Sequence, residues 1–174
     1  MVSKTFLNLT PAKQARIQAA LLHEFSHHPL AEAQVSRIVA QAQIARGAFY
    51  KYFTDLTDAY RYLYRQAMAA IHADFAKTAT TEFTPDIYLK EVRLFVDQAN
   101  NGPYYQLIKY HLTQNEALLT PPATTLNDKL PSNIWAAALL SHETIKQILC
   151  APHTEKAALK RLASALDALK ETRD

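Results

Sequence analysis

Apolar positions recur along this chain at the spacing of helices, not strands. Ile17, Ala20, Leu21 and Phe25 mark one face of a helix over about 11–26. Thr10-Pro11 opens it: the threonine oxygen is expected to accept a free backbone N–H, and proline fits the first turn. Pro29 ends that segment. Val35, Ile38 and Val39 form a second, short face, and after a tight turn at Ala42-Gln43 a third short helix over about 45–52 buries Phe49 and, just beyond, Phe53. Asp55 is placed to cap a long helix over about 56–79, with Asp58 in its first turn and Tyr60, Leu63, Ala67, Ile71 and Phe75 along one side. Thr84-Pro85 repeats the earlier start and opens a helix to about 99, which Asn100-Asn101-Gly102-Pro103 breaks. Tyr104, Leu107, Ile108, His111 and Leu112 trace the next face, over about 103–117. Residues 119–133, with Pro121, Pro122 and Pro131, read as a loop. The segment 132–149 is apolar nearly all round its first two turns, which predicts burial on most sides. Beyond Pro152 a last helix, about 154–171, carries Leu159, Leu162, Leu166 and Leu169 at the spacing of a helix–helix seam.

Composition agrees. Only Gly47 and Gly102 are glycine among 174 residues, too few for the hairpin turns and bulges of a sheet protein. No internal repeat or low-complexity segment interrupts the pattern. The lone Cys150 cannot form a disulfide within the chain. The first residues lack the apolar run of a secretory signal, and no stretch approaches the ~18 apolar residues of a membrane span, so the expectation is a cytoplasmic protein without a membrane partner.

Charge adds a direction. The net charge of +3 is modest, but residues 1–53 hold six basic residues against only Glu24 and Glu32, while the rest of the chain holds 13 basic and 14 acidic residues. The positive excess sits where a polyanion would be held. It coincides with a long helix backing two short ones joined by a tight turn, the layout in which the second short helix enters a DNA major groove and the first crosses the backbone.

The residues of this stretch resemble the TetR/AcrR family of transcriptional regulators. The resemblance rests on Arg16-Ile17, Phe25, Ile38-Val39 and above all on the run Ala42-Gln43-Ile44-Ala45-Arg46-Gly47-Ala48-Phe49-Tyr50-Lys51-Tyr52-Phe53. It covers about the first 60 residues; beyond them only the helical layout matches. It implies an all-α fold, with an N-terminal three-helix helix-turn-helix DNA-binding domain at 1–54 and a helical effector-binding and dimerisation domain at 55–174. It implies DNA contacts at Gln34, Arg37, Ala45, Arg46, Ala48, Tyr50, Lys51 and Tyr52. Arg46 and Lys51 suit phosphates or guanine edges, and the tyrosine hydroxyls suit phosphates. Gly47 is expected to allow close packing on a neighbouring helix or on DNA. Four positions depart from the family pattern. Gln43 stands where glycine makes the turn, at a cost of about 1 kcal/mol if left-handed. Ala45 and Ala33 replace hydroxyl caps worth about 1 kcal/mol each. Leu56 replaces a lysine.

The same resemblance implies a ligand-responsive repressor that binds a double-stranded DNA operator as a homodimer and answers to a small-molecule effector. Candidate effector contacts are Tyr60, Tyr64, Tyr88, Tyr104, His111 and Trp135, aromatic bodies with polar tips suited to a concave site. The apolar helix 132–149 and the leucine seam predict the dimer surface. The rival reading, prompted by the four departures, is a ligand sensor that has lost DNA binding and acts through a protein partner. No paired carboxylates, nucleophile elbow, glycine-rich phosphate loop or metal-spaced His/Cys/Asp/Glu set is present, so no catalysis, cofactor or metal is expected.

Overall fold

The computed structural model describes residues 2–72, 83–119 and 131–171, and within them all regular structure is helical. The elements are α1 (Lys4–Leu7), α2 (Pro11–His27), α3 (Val35–Ala42), α4 (Arg46–Tyr52), α5 (Leu56–Ile71), α6 (Pro85–Asn101), α7 (Tyr105–Tyr110), α8 (Ser132–Cys150) and α9 (Glu155–Glu171). A π-helical turn, His111–Asn115, and a short 3-10 turn, Glu116–Leu118, continue α7. The expected continuation of α5 through Phe75 to residue 79, and most of the 119–133 loop, lie outside the described residues. No described helix is long and apolar enough to cross a membrane.

The chain divides into two compact units. The first comprises residues 1–70 and 103–120, the second residues 71–102 and 121–174. α5 and the 103–119 segment share one core with the three-helix reading unit.

In the first unit Ile17, Leu21 and Phe25 from α2, Ile38 from α3, Phe49 and Phe53 at α4, Tyr60 from α5 and Leu107 from α7 are all fully buried. Side chains of this size contribute roughly 1.5–3 kcal/mol each when fully buried. α1 is too short to show as a periodic pattern, yet it is well fixed. Its Phe6 is buried against Tyr52, Phe53 and Tyr62 at ring-centroid distances of 5.8, 5.2 and 5.1 Å. Ser3 caps it, accepting the Phe6 N–H through its hydroxyl oxygen at 3.2 Å. The same hydroxyl donates to the Lys51 carbonyl at 2.7 Å, and the Ser3 N–H donates to the Tyr52 carbonyl at 3.0 Å. The amino-terminal residues thus satisfy carbonyls at the end of α4.

The caps differ from expectation in an informative way. Pro11 and Pro85 open their helices as predicted, but Thr10 and Thr84 make no side-chain cap bond. Asp55 does cap α5: it accepts the Asp58 N–H at 2.7 Å, while Asp58 accepts the Thr54 N–H at 3.2 Å.

In the second unit α6, α8 and α9 pack together. Val92, Val96, Ala137, Ile148, Leu159, Leu162 and Leu166 form the core, with Leu169 packed against it. The leucine seam is therefore spent inside the unit. α8 departs from the prediction of all-round burial. Among the described residues α6 and α9 are the helices that pack on it, and Trp135, Ala138, Leu139 and Leu140 are exposed.

Candidate nucleic-acid interface

The two short helices meet at a turn that glycine would favour. Gln43, which ends α3, has φ 52° and ψ 51°, the left-handed conformation expected from the sequence. The turn is closed by backbone bonds from Gln43 N–H to the Ala40 carbonyl at 3.2 Å and from Ile44 N–H to the Val39 carbonyl at 3.1 Å. α4 then runs seven residues, from Arg46 to Tyr52, with Ala45 as an N-cap that supplies no side-chain bond. Phe49 and Tyr52 point into the core, and Arg46, Gly47, Tyr50 and Lys51 are exposed. A helix of this length fits across a groove ~12 Å wide.

The exposed face has chemistry suited to a polyanion. Tyr50 is 49% exposed. The Arg46 guanidinium lies 5.9 Å from the Tyr50 ring centre and donates to its hydroxyl at 3.4 Å, one helical turn away. This stacking holds the arginine out along the helix with donors to spare. Gly47 is not needed for packing inside the chain, because a Cβ there would meet nothing within 4 Å. Of the two roles expected for it, close packing on a neighbouring helix falls away.

The remaining sequence-predicted DNA residues are placed as follows. Gln34, the N-cap of α3, and Ala45 are exposed, and Ala48 is half-buried against the core. Tyr52 is buried, its ring edge-on to Phe6. Arg37 is bound to Glu24. Its Nε donates to Glu24 Oε1 at 3.0 Å and Oε2 at 2.9 Å, and its Nη2 to Oε1 at 2.6 Å. Glu24 is the residue that reading the sequence missed. It is 2% exposed, and it also accepts the Gln34 N–H at 2.7 Å. Burial works against its charge, but the Arg37 guanidinium and the Gln34 N–H outweigh that and hold its carboxyl below the ordinary range. The Ala33 departure is thereby compensated: α3 receives its cap from a neighbouring helix.

The candidate effector residues are divided between the two units. Tyr60, Tyr64 and His111 form a stack in the first unit. The Tyr60 hydroxyl and His111 Nδ1 are 3.1 Å apart, and the Tyr64 and His111 rings stack at 3.8 Å. Burial pushes the Tyr60 phenol up to about 12, with the Asn115 amide pulling the other way, and pushes Tyr64 well above its ordinary value. Tyr104 borders a groove of about 550 Å³ in the same unit, lined also by Gln18, Leu22, Leu63 and Gln66. In the second unit Tyr88 packs on Phe83 at 5.7 Å, and Trp135 stands on the exposed face of α8. Among the described residues no three His, Cys, Asp or Glu side chains group as metal ligands.

A left-handed turn between two short helices, the second with an exposed cationic and aromatic face, defines a helix-turn-helix DNA-binding domain. Residues 17–56 match the family described as bacterial regulatory proteins, tetR family. The segment 17–56, which holds the turn and both short helices, thus carries the helix-turn-helix of that family. Solved structures agree at the level of fold. A TetR family transcriptional regulator from Chloroflexus aurantiacus superposes with a TM-score of 0.58 at 20% identity, over 97% of this chain and 96% of that one. A TetR transcriptional regulator from Rhodococcus sp. RHA1 does so with a TM-score of 0.51 at 19% identity, over 91% and 96%. No curated protein sequence matches the chain.

Proposed function

We propose that the chain is an effector-responsive transcriptional repressor that binds a double-stranded DNA operator as a homodimer. The observation that carries this reading is the solvent face of α4. Arg46, Tyr50 and Lys51 stand exposed on a seven-residue helix whose inner face is fixed in the core, and Gly47 leaves the backbone between them open to close approach. Arg46 and Lys51 supply charge for phosphates or a guanine edge, and Tyr50 a hydroxyl for phosphate.

Twofold pairing rests on α8. Trp135, Ala138 and Leu139 fall at i, i+3, i+4 on one exposed stripe, and such apolar surface on a folded unit marks an association site. A second copy presenting the same stripe covers it and gives an isologous contact. The groove beside Tyr104 has no charged side chain in its lining, which suits an uncharged amphipathic effector.

The test is binding to duplex DNA from the region flanking the gene, measured against salt. The expected result is a steep loss of affinity with salt, and a loss of about one unit of slope for each of Arg46→Ala and Lys51→Ala that removes a phosphate contact. Binding that ignores salt, or a double variant that binds like the parent, overturns the reading.

A further inference from the structure

α3 starts without a cap of its own. Gln34 makes no side-chain cap bond, and Ala33 before it has no oxygen to offer. The orphan N–H of Gln34 instead reaches Glu24 on α2. That carboxylate also takes three hydrogen bonds from Arg37, at the third position of α3, whose Nη2 makes a further bond to the Glu32 carbonyl at 2.8 Å. We propose that Glu24 is the positioning residue of the DNA-reading unit: it caps α3 from α2, clamps α3 through Arg37, and so keeps Arg37 away from phosphate contact. The proposal rests on the DNA-binding reading above.

The geometry supports a positioning role over simple stabilisation of the core. One carboxylate fixes two points of α3, the first N–H and a side chain three residues later, so it sets the rotation of α3 as well as its height on α2. Its negative charge stands at the positive end of the α3 dipole. α4 hangs from α3 through the closed left-handed turn at Gln43, so the rotation of α3 carries into the orientation of Arg46 and Lys51. Arg37 spends its fork on Glu24 and Glu32, and guanidinium geometry is best satisfied by such two-pronged pairing. A buried carboxylate stripped of its cation is costly, whereas neutralising both partners is tolerated. The pair is therefore coupled.

That coupling separates the two roles open to Arg37. The full chain is titrated with a mixed-sequence DNA duplex over a range of salt, as wild type, Arg37→Gln, and Glu24→Gln/Arg37→Gln. The expected result is about a tenfold weaker complex for R37Q, with the salt slope unchanged, and recovery to within about twofold of wild type in the double variant. If R37Q does not fold, the slopes of wild type and double variant are compared, and they should be equal. A slope lower by about one in either variant makes Arg37 a phosphate contact and overturns the proposal. So does an R37Q variant with a lower melting temperature but unchanged affinity, and so does a double variant no better than R37Q. Wild-type protein that fails to bind the duplex at low salt overturns the DNA-binding reading instead.

Discussion

The side-chain oxygen of Asn115 accepts the Leu30 backbone N–H at 2.8 Å, joining residues 85 positions apart in the chain. Leu30 belongs to the connection between α2 and α3, and Asn115 closes the π-helical turn that follows α7. Asn115 is fully buried, and its amide nitrogen makes no hydrogen bond of good geometry. Turns of this type recur at functional sites. Here the turn ends on an amide that holds a loop of the reading unit. Replacing Asn115 by Leu should strand the Leu30 N–H and destabilise the chain by about 1–3 kcal/mol. Chemical denaturation measures this, and a change within about 0.5 kcal/mol would show that the Leu30 N–H finds another partner.

Gly47 separates folding from binding. Alanine there meets no atom of the chain and improves helix propensity by up to about 1 kcal/mol. Gly47→Ala is therefore expected to melt at or above the wild-type temperature while binding duplex DNA more weakly, because the added methyl faces the approaching backbone. Calorimetry and a binding titration on the same sample give both numbers. Wild-type affinity in this variant would place the groove contact elsewhere on α4.

Trp135 is the single tryptophan of the chain and is 53% exposed in one copy. Its emission should therefore report pairing directly, shifting to shorter wavelength as protein concentration rises through the dimerisation range. Leu139→Glu, a change at an exposed position, is expected to leave the melting of each unit intact and abolish that shift. A Trp135 spectrum independent of concentration, together with a dimer by sedimentation, would move the interface off α8.

Two groups predict opposite ends of the pH profile. Glu24 is held below its ordinary 4.5, so its contribution is present above that value and is lost as pH falls through the lower folded value. Glu24→Gln should flatten the acid limb of the stability curve. Tyr60 is raised from 10.0 to about 12, so its contribution is complete below pH 10 and is lost as pH rises through about 12. The phenolate absorbance of the folded protein should show a late step that Tyr60→Phe reduces. Ionisation of all tyrosines together near pH 10 would argue that Tyr60 is not buried.

Much of the reading unit was legible in the sequence. The short helices, the left-handed Gln43 and the exposed basic residues of α4 follow from local pattern and from the motif at 42–53. What escaped depends on partners far away in the chain. Glu24 lies among apolar residues with nothing local to name its cation, and Arg37, 13 positions on, reads as one more exposed base. The burial of the Tyr52 ring was not legible because its partner, Phe6, sits on a four-residue helix too short to give a period. The leucines of α9 do form a seam, but spacing alone does not say whether the facing helix belongs to the same chain.

The composition of the first unit bears on how the protein is made. Leu107 fills its core and Asn115 secures the Leu30 loop, although both lie well downstream of α4. A nascent chain that has emerged only as far as α5 has every DNA-facing side chain but not the residues that complete the body behind them. The reading head therefore matures late in synthesis, after the α6 segment has passed, and a fragment cut after residue 70 inherits the same incompleteness.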